Sequence, residues 1–129
     1  MCVRLAPGRA ALDLHRLWDG LITSTNNVGR LRNIATESLS KFSRVGLREL
    51  DQKQPDAWAK KSYEIAVKIA YENGNLRGTP KGQVRDCRDI PDINFISPGY
   101  PARAKLIADR RVYLAGYRLA ELLERIMSE

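Results

Sequence analysis

Histidine is nearly missing from this chain: His15 stands alone in 129 residues, and Cys2 and Cys87 are the two cysteines. The cysteines lie far apart, so they form neither a metal-ligand spacing nor a redox pair. Whether they meet is left open by the sequence. Closing so long a loop adds about 4–5 kcal/mol in the chain-entropy description, but two free thiols fit equally well. Long apolar runs are also lacking, because charges interrupt every stretch short of membrane-spanning length. The opening Met1-Cys2-Val3-Arg4-Leu5-Ala6-Pro7 is too short and too polar for the apolar core of a signal peptide. Runs of one charge sign are missing, which argues against a basic tail that wraps nucleic acid. No internal repeat and no clear strand alternation is seen, so the expected class is all-α.

Lys and Arg outnumber Asp and Glu by 22 to 15, a net charge of +7 that favours anionic partners such as nucleic acid, phosphoesters or an acidic surface. Hydrophobic residues make up 43%, enough for the core of one domain.

Helical periodicity runs through most of the chain. Leu14, Leu17, Trp18, Leu21 and Ile22 recur at helical spacing, with Asp13 at the N-cap position. Asn26-Asn27 opens a second helix whose stripe is Val28, Leu31, Ala35, Leu39, Phe42 and Val45, with Gly46 as its break. Pro55 suits the first turn of a third, where its missing N–H needs no partner. Glu64 and Lys68 are expected to pair on that helix, and Gly74 to cap it in the left-handed conformation. Residues 76–97 read as a loop. Pro101 starts the longest helix, with Ala108, Val112, Ala115, Leu119, Leu122 and Ile126 as its apolar stripe and Arg111, Arg118, Glu121 and Arg125 on the solvated side. Trp18 and Trp58 read as core anchors, and Tyr113 and Tyr117 as core or boundary residues.

One pair carries candidate chemistry. His15 and Asp19, four residues apart, project from one helix face with β-carbons about 5–6 Å apart. An imidazole nitrogen and a carboxylate oxygen so placed reach a single zinc ion at about 2.0–2.2 Å. The same spacing also makes an ordinary solvated ion pair. Two ligands do not close a zinc site, which takes four, or three plus water.

The string Leu14-His15-Arg16-Leu17-Trp18-Asp19 resembles the Asn-Leu-His-x-x-Trp-Asp signature of the S1/P1 nuclease family. Trp58-Ala59-Lys60-Lys61-Ser62 is similar to that family's Trp-Ala-x-Glu-Ser helix, and Ala115-Gly116-Tyr117-Arg118-Leu119-Ala120 to its Ala-Gly-x-Arg-Leu-Ala. The three motifs stand in the family's order over most of the chain. The resemblance implies a helical bundle of the zinc phospholipase C and single-strand nuclease type, of which residues 1–129 are the carboxy-terminal part. It implies a three-zinc cluster to which His15 and Asp19 contribute ligands, and hydrolysis of single-stranded DNA and RNA to 5'-mononucleotides, with 3'-nucleotidase activity. It also implies a secreted or periplasmic setting.

Some positions depart from the family pattern. Asp13 replaces an asparagine, which keeps a capping oxygen, and Lys61 replaces an acid. Most of the family's zinc ligands precede the His15 motif, and residues 1–11 hold neither histidine nor acid. The expectation is therefore a partial zinc site, inactive alone and completed by an amino-terminal half; which residues act in catalysis and substrate binding is not assigned. Two other readings stand beside it. One is a non-catalytic basic helical protein that binds an anionic partner through Arg103, Lys105, Arg110, Arg111 and Arg118; the other is a phospholipase C-like phosphodiesterase.

Overall fold

The computed structural model describes residues 1–77, 86–87, 90 and 93–128. Four α-helices dominate these residues: α1 (Leu14–Asp19), α2 (Val28–Leu39), α3 (Pro55–Ile65) and α4 (Tyr100–Met127). Their ends follow local chemistry. Asp13 caps α1, accepting hydrogen bonds from the amides of His15 and Arg16. Asn27 caps α2 through the amide of Arg30. Prolines occupy the first turns of α3 and α4. After α3 the chain widens into a π-helical turn, Ala66–Ala70, and then reverses at Asn73 and Gly74, both at positive φ. Gly74 takes the expected left-handed conformation at φ 84, but it closes a short 3-10 turn, Glu72–Gly74, and the helix itself has already ended at Tyr71.

The helical majority matches expectation, but the chain is not purely α. Three short strands, β1 (Cys2–Arg4), β2 (Leu12–Asp13) and β3 (Asn94–Phe95), form a sheet of order β2-β1-β3. β2 runs antiparallel to β1, pairing Cys2 with Asp13, and β3 runs parallel to it, pairing Val3 with Asn94. Strands of two or three residues are too short to show an alternating pattern, and their pairing is decided by partners distant in sequence. β3 lies within the stretch read as loop; residues 78–85, 88–89 and 91–92 of that stretch are outside the described residues.

Two apolar clusters hold the elements. The first gathers Val3, Leu14, Leu76, Ile96, Tyr100 and Ala104, with Leu17, Trp18 and Leu21 against it, so β1, α1 and the start of α4 share one core. The second joins Leu47, Leu50 and Leu114, with Phe42, Tyr113 and Tyr117 around them. Phe42 stacks on Tyr113 with ring centroids 5.0 Å apart. A disulfide joins Cys2 to Cys87, settling the question that spacing left open.

The orientation of α4 reverses expectation. Val112, Leu119, Leu122 and Ile126 are exposed, whereas Arg111, Arg118 and Glu121, read as solvated, lie half-buried against the chain. Helical periodicity defines a stripe but not what it faces. α2 ends at Leu39, short of the expected Gly46, and buries none of its residues, while Phe42 of the expected stripe packs in the second cluster from beyond the helix. Lys61 pairs with Glu64 at 3.4 Å, whereas the expected Glu64–Lys68 pair is not formed. Lys68 lies in the π-helical turn, where the wider winding shifts positions four residues apart out of line.

Candidate metal centre

α1 is only six residues long, too short to be stable by itself, so its placement comes from contacts at both ends and along one face. At its start, the Asp13 carboxylate accepts from His15 N at 2.8 Å, Arg16 N at 3.2 Å and the Met1 amine at 3.1 Å. Burial opposes ionisation of Asp13, but the amine and the backbone donors of Arg16 and His15 outweigh it and hold the carboxyl below its ordinary range. Its buried face is Leu14. Further along, the Trp18 indole N–H donates to Tyr100 Oη at 2.8 Å, and Tyr100 donates to the carbonyl of Ala70 at 2.9 Å. The two rings meet edge to face at 6.4 Å. α1, α4 and the π-helical turn are thus linked by one hydrogen-bonded chain. Nothing in the sequence pairs Trp18 with Tyr100, which stands 82 residues away.

On the outer face of α1, His15 Nε2 lies 3.2 Å from Asp19 Oδ2. Two ligands at about 2.0–2.2 Å on a tetrahedral ion stand about 3.3–3.6 Å apart, so the separation is compatible with one edge of a zinc polyhedron, and it is equally that of an ordinary ion pair. Both side chains are open, 86% and 67% exposed, rather than sheltered beside the apolar stripe. Leu17 and Trp18 turn to the core, and the ring and carboxylate turn away from it. No third His or carboxylate joins the pair among the described residues.

A second grouping comes from β1 and β2: ligand atoms of Cys2, Asp13 and Cys87 fall within 4.8 Å of one another. The two sulfurs are bonded to each other, however, so neither is a thiolate donor, and Asp13 is committed to capping α1.

The arginines and lysine considered for an anionic partner are largely engaged within the chain. Arg110 makes two bonds to the Glu49 carboxylate at 2.8 and 2.6 Å. Lys105 pairs with Asp109, and Arg103 lies 3.5 Å from Glu72. Arg118 lies over the Trp58 ring at 4.2 Å, so Trp58, expected as a core anchor, is half-buried outside both apolar clusters and meets a cation instead. Among the described residues, no helix is long and apolar enough to cross a membrane.

A sequence model described as S1/P1 Nuclease matches residues 2–128. No curated protein and no solved structure matches the chain.

Proposed function

The chain belongs to the S1/P1 nuclease family, and from that premise we propose that it is the carboxy-terminal part of a zinc-dependent nuclease domain that cleaves single-stranded DNA and RNA to 5'-mononucleotides. The observation that carries this reading is the 3.2 Å approach of His15 Nε2 to Asp19 Oδ2 on a capped and anchored helix. Those two side chains would hold one edge of a zinc ion in the family's cluster, and the remaining ligands would come from outside these residues. The openness of the pair supports this, because a half-site must face the part that completes it. The exposed stripes of α2 and α4 point the same way. The helical bundle of the phospholipase C type would be completed by the same missing part.

When bound, clustered zinc lowers the pKa of coordinated water and screens charge on the phosphoryl oxygens. The chain's own contribution is positional. Asp13 fixes the start of α1, and the bond from Trp18 to Tyr100 fixes its rotation, so His15 and Asp19 stay aligned. A secreted or periplasmic setting belongs to the proposal, since the Cys2–Cys87 bond persists in oxidising compartments.

Zinc titration against a chromogenic chelator, together with a single-stranded DNA hydrolysis assay, tests the reading. The 129-residue chain should bind zinc weakly, lose that binding in His15→Ala and Asp19→Asn, and hydrolyse nothing. Stoichiometric tight zinc with DNA cleavage by this chain alone would overturn the half-site. Unchanged zinc binding in both variants would remove the pair from it.

A further inference from the structure

The residue that caps α1 stands directly across the sheet from one half of the disulfide. β2 runs antiparallel to β1 and pairs Asp13 with Cys2, and side chains opposed in this way leave the same face of the sheet as neighbours. Cys87 joins them through its bond to Cys2, the two Cα atoms lying 5.4 Å apart. The ligand atoms of Cys2, Asp13 and Cys87 all fall within 4.8 Å of one another. Cys2 is buried, whereas Asp13 and Cys87 are half-buried, so an ion in solution reaches the trio from their side.

Asp13 divides its contacts between its two oxygens. Oδ1 alone caps α1, accepting from the amides of His15 and Arg16. Oδ2 receives a cation, the Met1 amine, at 3.1 Å. An ion that takes Oδ2 therefore leaves the helix cap in place. The sulfurs become donors only when the bond between them is reduced. A dithiol supplies the two electrons and closes to its own disulfide, while its two protons pass to the sulfurs of Cys2 and Cys87. A metal ion then displaces both protons and is held by the two thiolates. Thiolate bonds of about 2.3 Å set two sulfurs on a tetrahedral ion about 3.7 Å apart. A Cα separation of 5.4 Å is compatible with that spacing through rotation of the two side chains.

We propose that Cys2, Cys87 and Asp13 form, in the thiol state of the chain, a site for a divalent ion of the zinc type, with two thiolates, one carboxylate oxygen and a water as its ligands. Two thiolates select against magnesium and calcium, which take oxygen ligands. Three protein ligands leave one position of a tetrahedral ion to water. Oxidation of the thiolates back to the disulfide ejects the ion, so the same atoms hold either a metal or a sulfur–sulfur bond and never both. In each state Cys87 is tied to β1, beside the start of α1. The site is separate from His15 and Asp19, which lie on the outer face of α1, and it does not depend on the nuclease reading.

Cobalt(II), which substitutes for zinc in tetrahedral thiolate sites and gains a charge-transfer band on binding sulfur, is the probe. The full chain is reduced with a dithiol, freed of it by gel filtration under argon, and titrated with the metal. The sulfur-to-cobalt band should saturate at one ion per chain and be missing from the oxidised chain. Zinc should bleach it, and magnesium should leave it unchanged. Cys87→Ser should lose at least half of the band. Asp13→Asn, which keeps a capping oxygen, should weaken cobalt binding by about tenfold or more. Circular dichroism follows the helices in each sample, and the same titration in urea shows what two thiols do in an unfolded chain. A reduced chain without the band, a band as strong in urea as in buffer, or full affinity in Asp13→Asn overturns the site. So does a reduced chain that loses its helices and does not regain them with zinc. The band comes from sulfur alone, so the loss of zinc binding at His15 and Asp19 in the oxidised chain neither makes nor removes it, and each reading fails separately.

Discussion

The indole N–H of Trp18 donates to the hydroxyl of Tyr100 at 2.8 Å, and this bond fixes the short helix that carries His15 and Asp19 against the start of α4. Tyr100 is 1% exposed and donates its own O–H to the Ala70 carbonyl. Burial raises its pKa above the ordinary value, so the phenol stays a donor across the working range.

Tyr100→Phe removes the acceptor for Trp18 and the donor for Ala70 while keeping the ring. The stability loss should be about 1–3 kcal/mol, the cost of leaving buried polar groups unpaired. Urea unfolding followed by tryptophan fluorescence measures it. An unchanged midpoint would mean that packing alone holds α1.

Reduction of Cys2–Cys87 should cost about 4–5 kcal/mol, because the bond closes a loop with a sequence separation of 85. Denaturation with and without a thiol reductant, and with Cys87→Ser, gives the value. Equal midpoints in both redox states would show that the sheet holds β1 without its covalent tie.

The two bonds from Arg110 hold the Glu49 carboxyl below its ordinary range, against an opposing effect of burial. Because the folded pKa lies below the unfolded one, this pair stabilises fully above about pH 4.5 and is lost as pH falls through the folded value. The stability gap between the native chain and Arg110→Met should therefore be largest near neutrality and close in acid. A gap that stays constant from pH 7 to pH 3 would assign the loss to the arginine's packing.

Leu114 and Leu119 lie on the same helix, the first 1% exposed and the second 56%. Leu114→Ala should cost about 2–5 kcal/mol as a buried cavity. Leu119→Ala should stay within about 0.5 kcal/mol in this chain. Similar losses at both sites would mean that α4 packs through its other face in solution.

Features that depend on a few neighbouring residues were readable in advance. Asp13, Asn27, Pro55, Gly74 and Pro101 act through their own backbone surroundings, and they mark element ends as their chemistry requires. Four-residue spacing likewise placed His15 beside Asp19. The sheet was not readable, since β1 pairs with a strand that begins at Asn94 through a register that no local pattern encodes. The expected stripe of α4 exists, but its partner does not come from within the described residues.

The amino-acid sequence by itself determined where the helices start, the motifs of the family and the His15–Asp19 pair, because those rest on interactions spanning one or two turns, whereas the first three helices end earlier than their apolar periodicity. Tertiary structure decided the rest. It joined Cys2 to Cys87, set Trp18 on Tyr100, and turned Arg118 onto Trp58 instead of into water. It also left His15 and Asp19 open on an outer face. Such pairings depend on which surfaces meet when distant segments collapse together, and helical periodicity carries no information about the identity of the opposing surface.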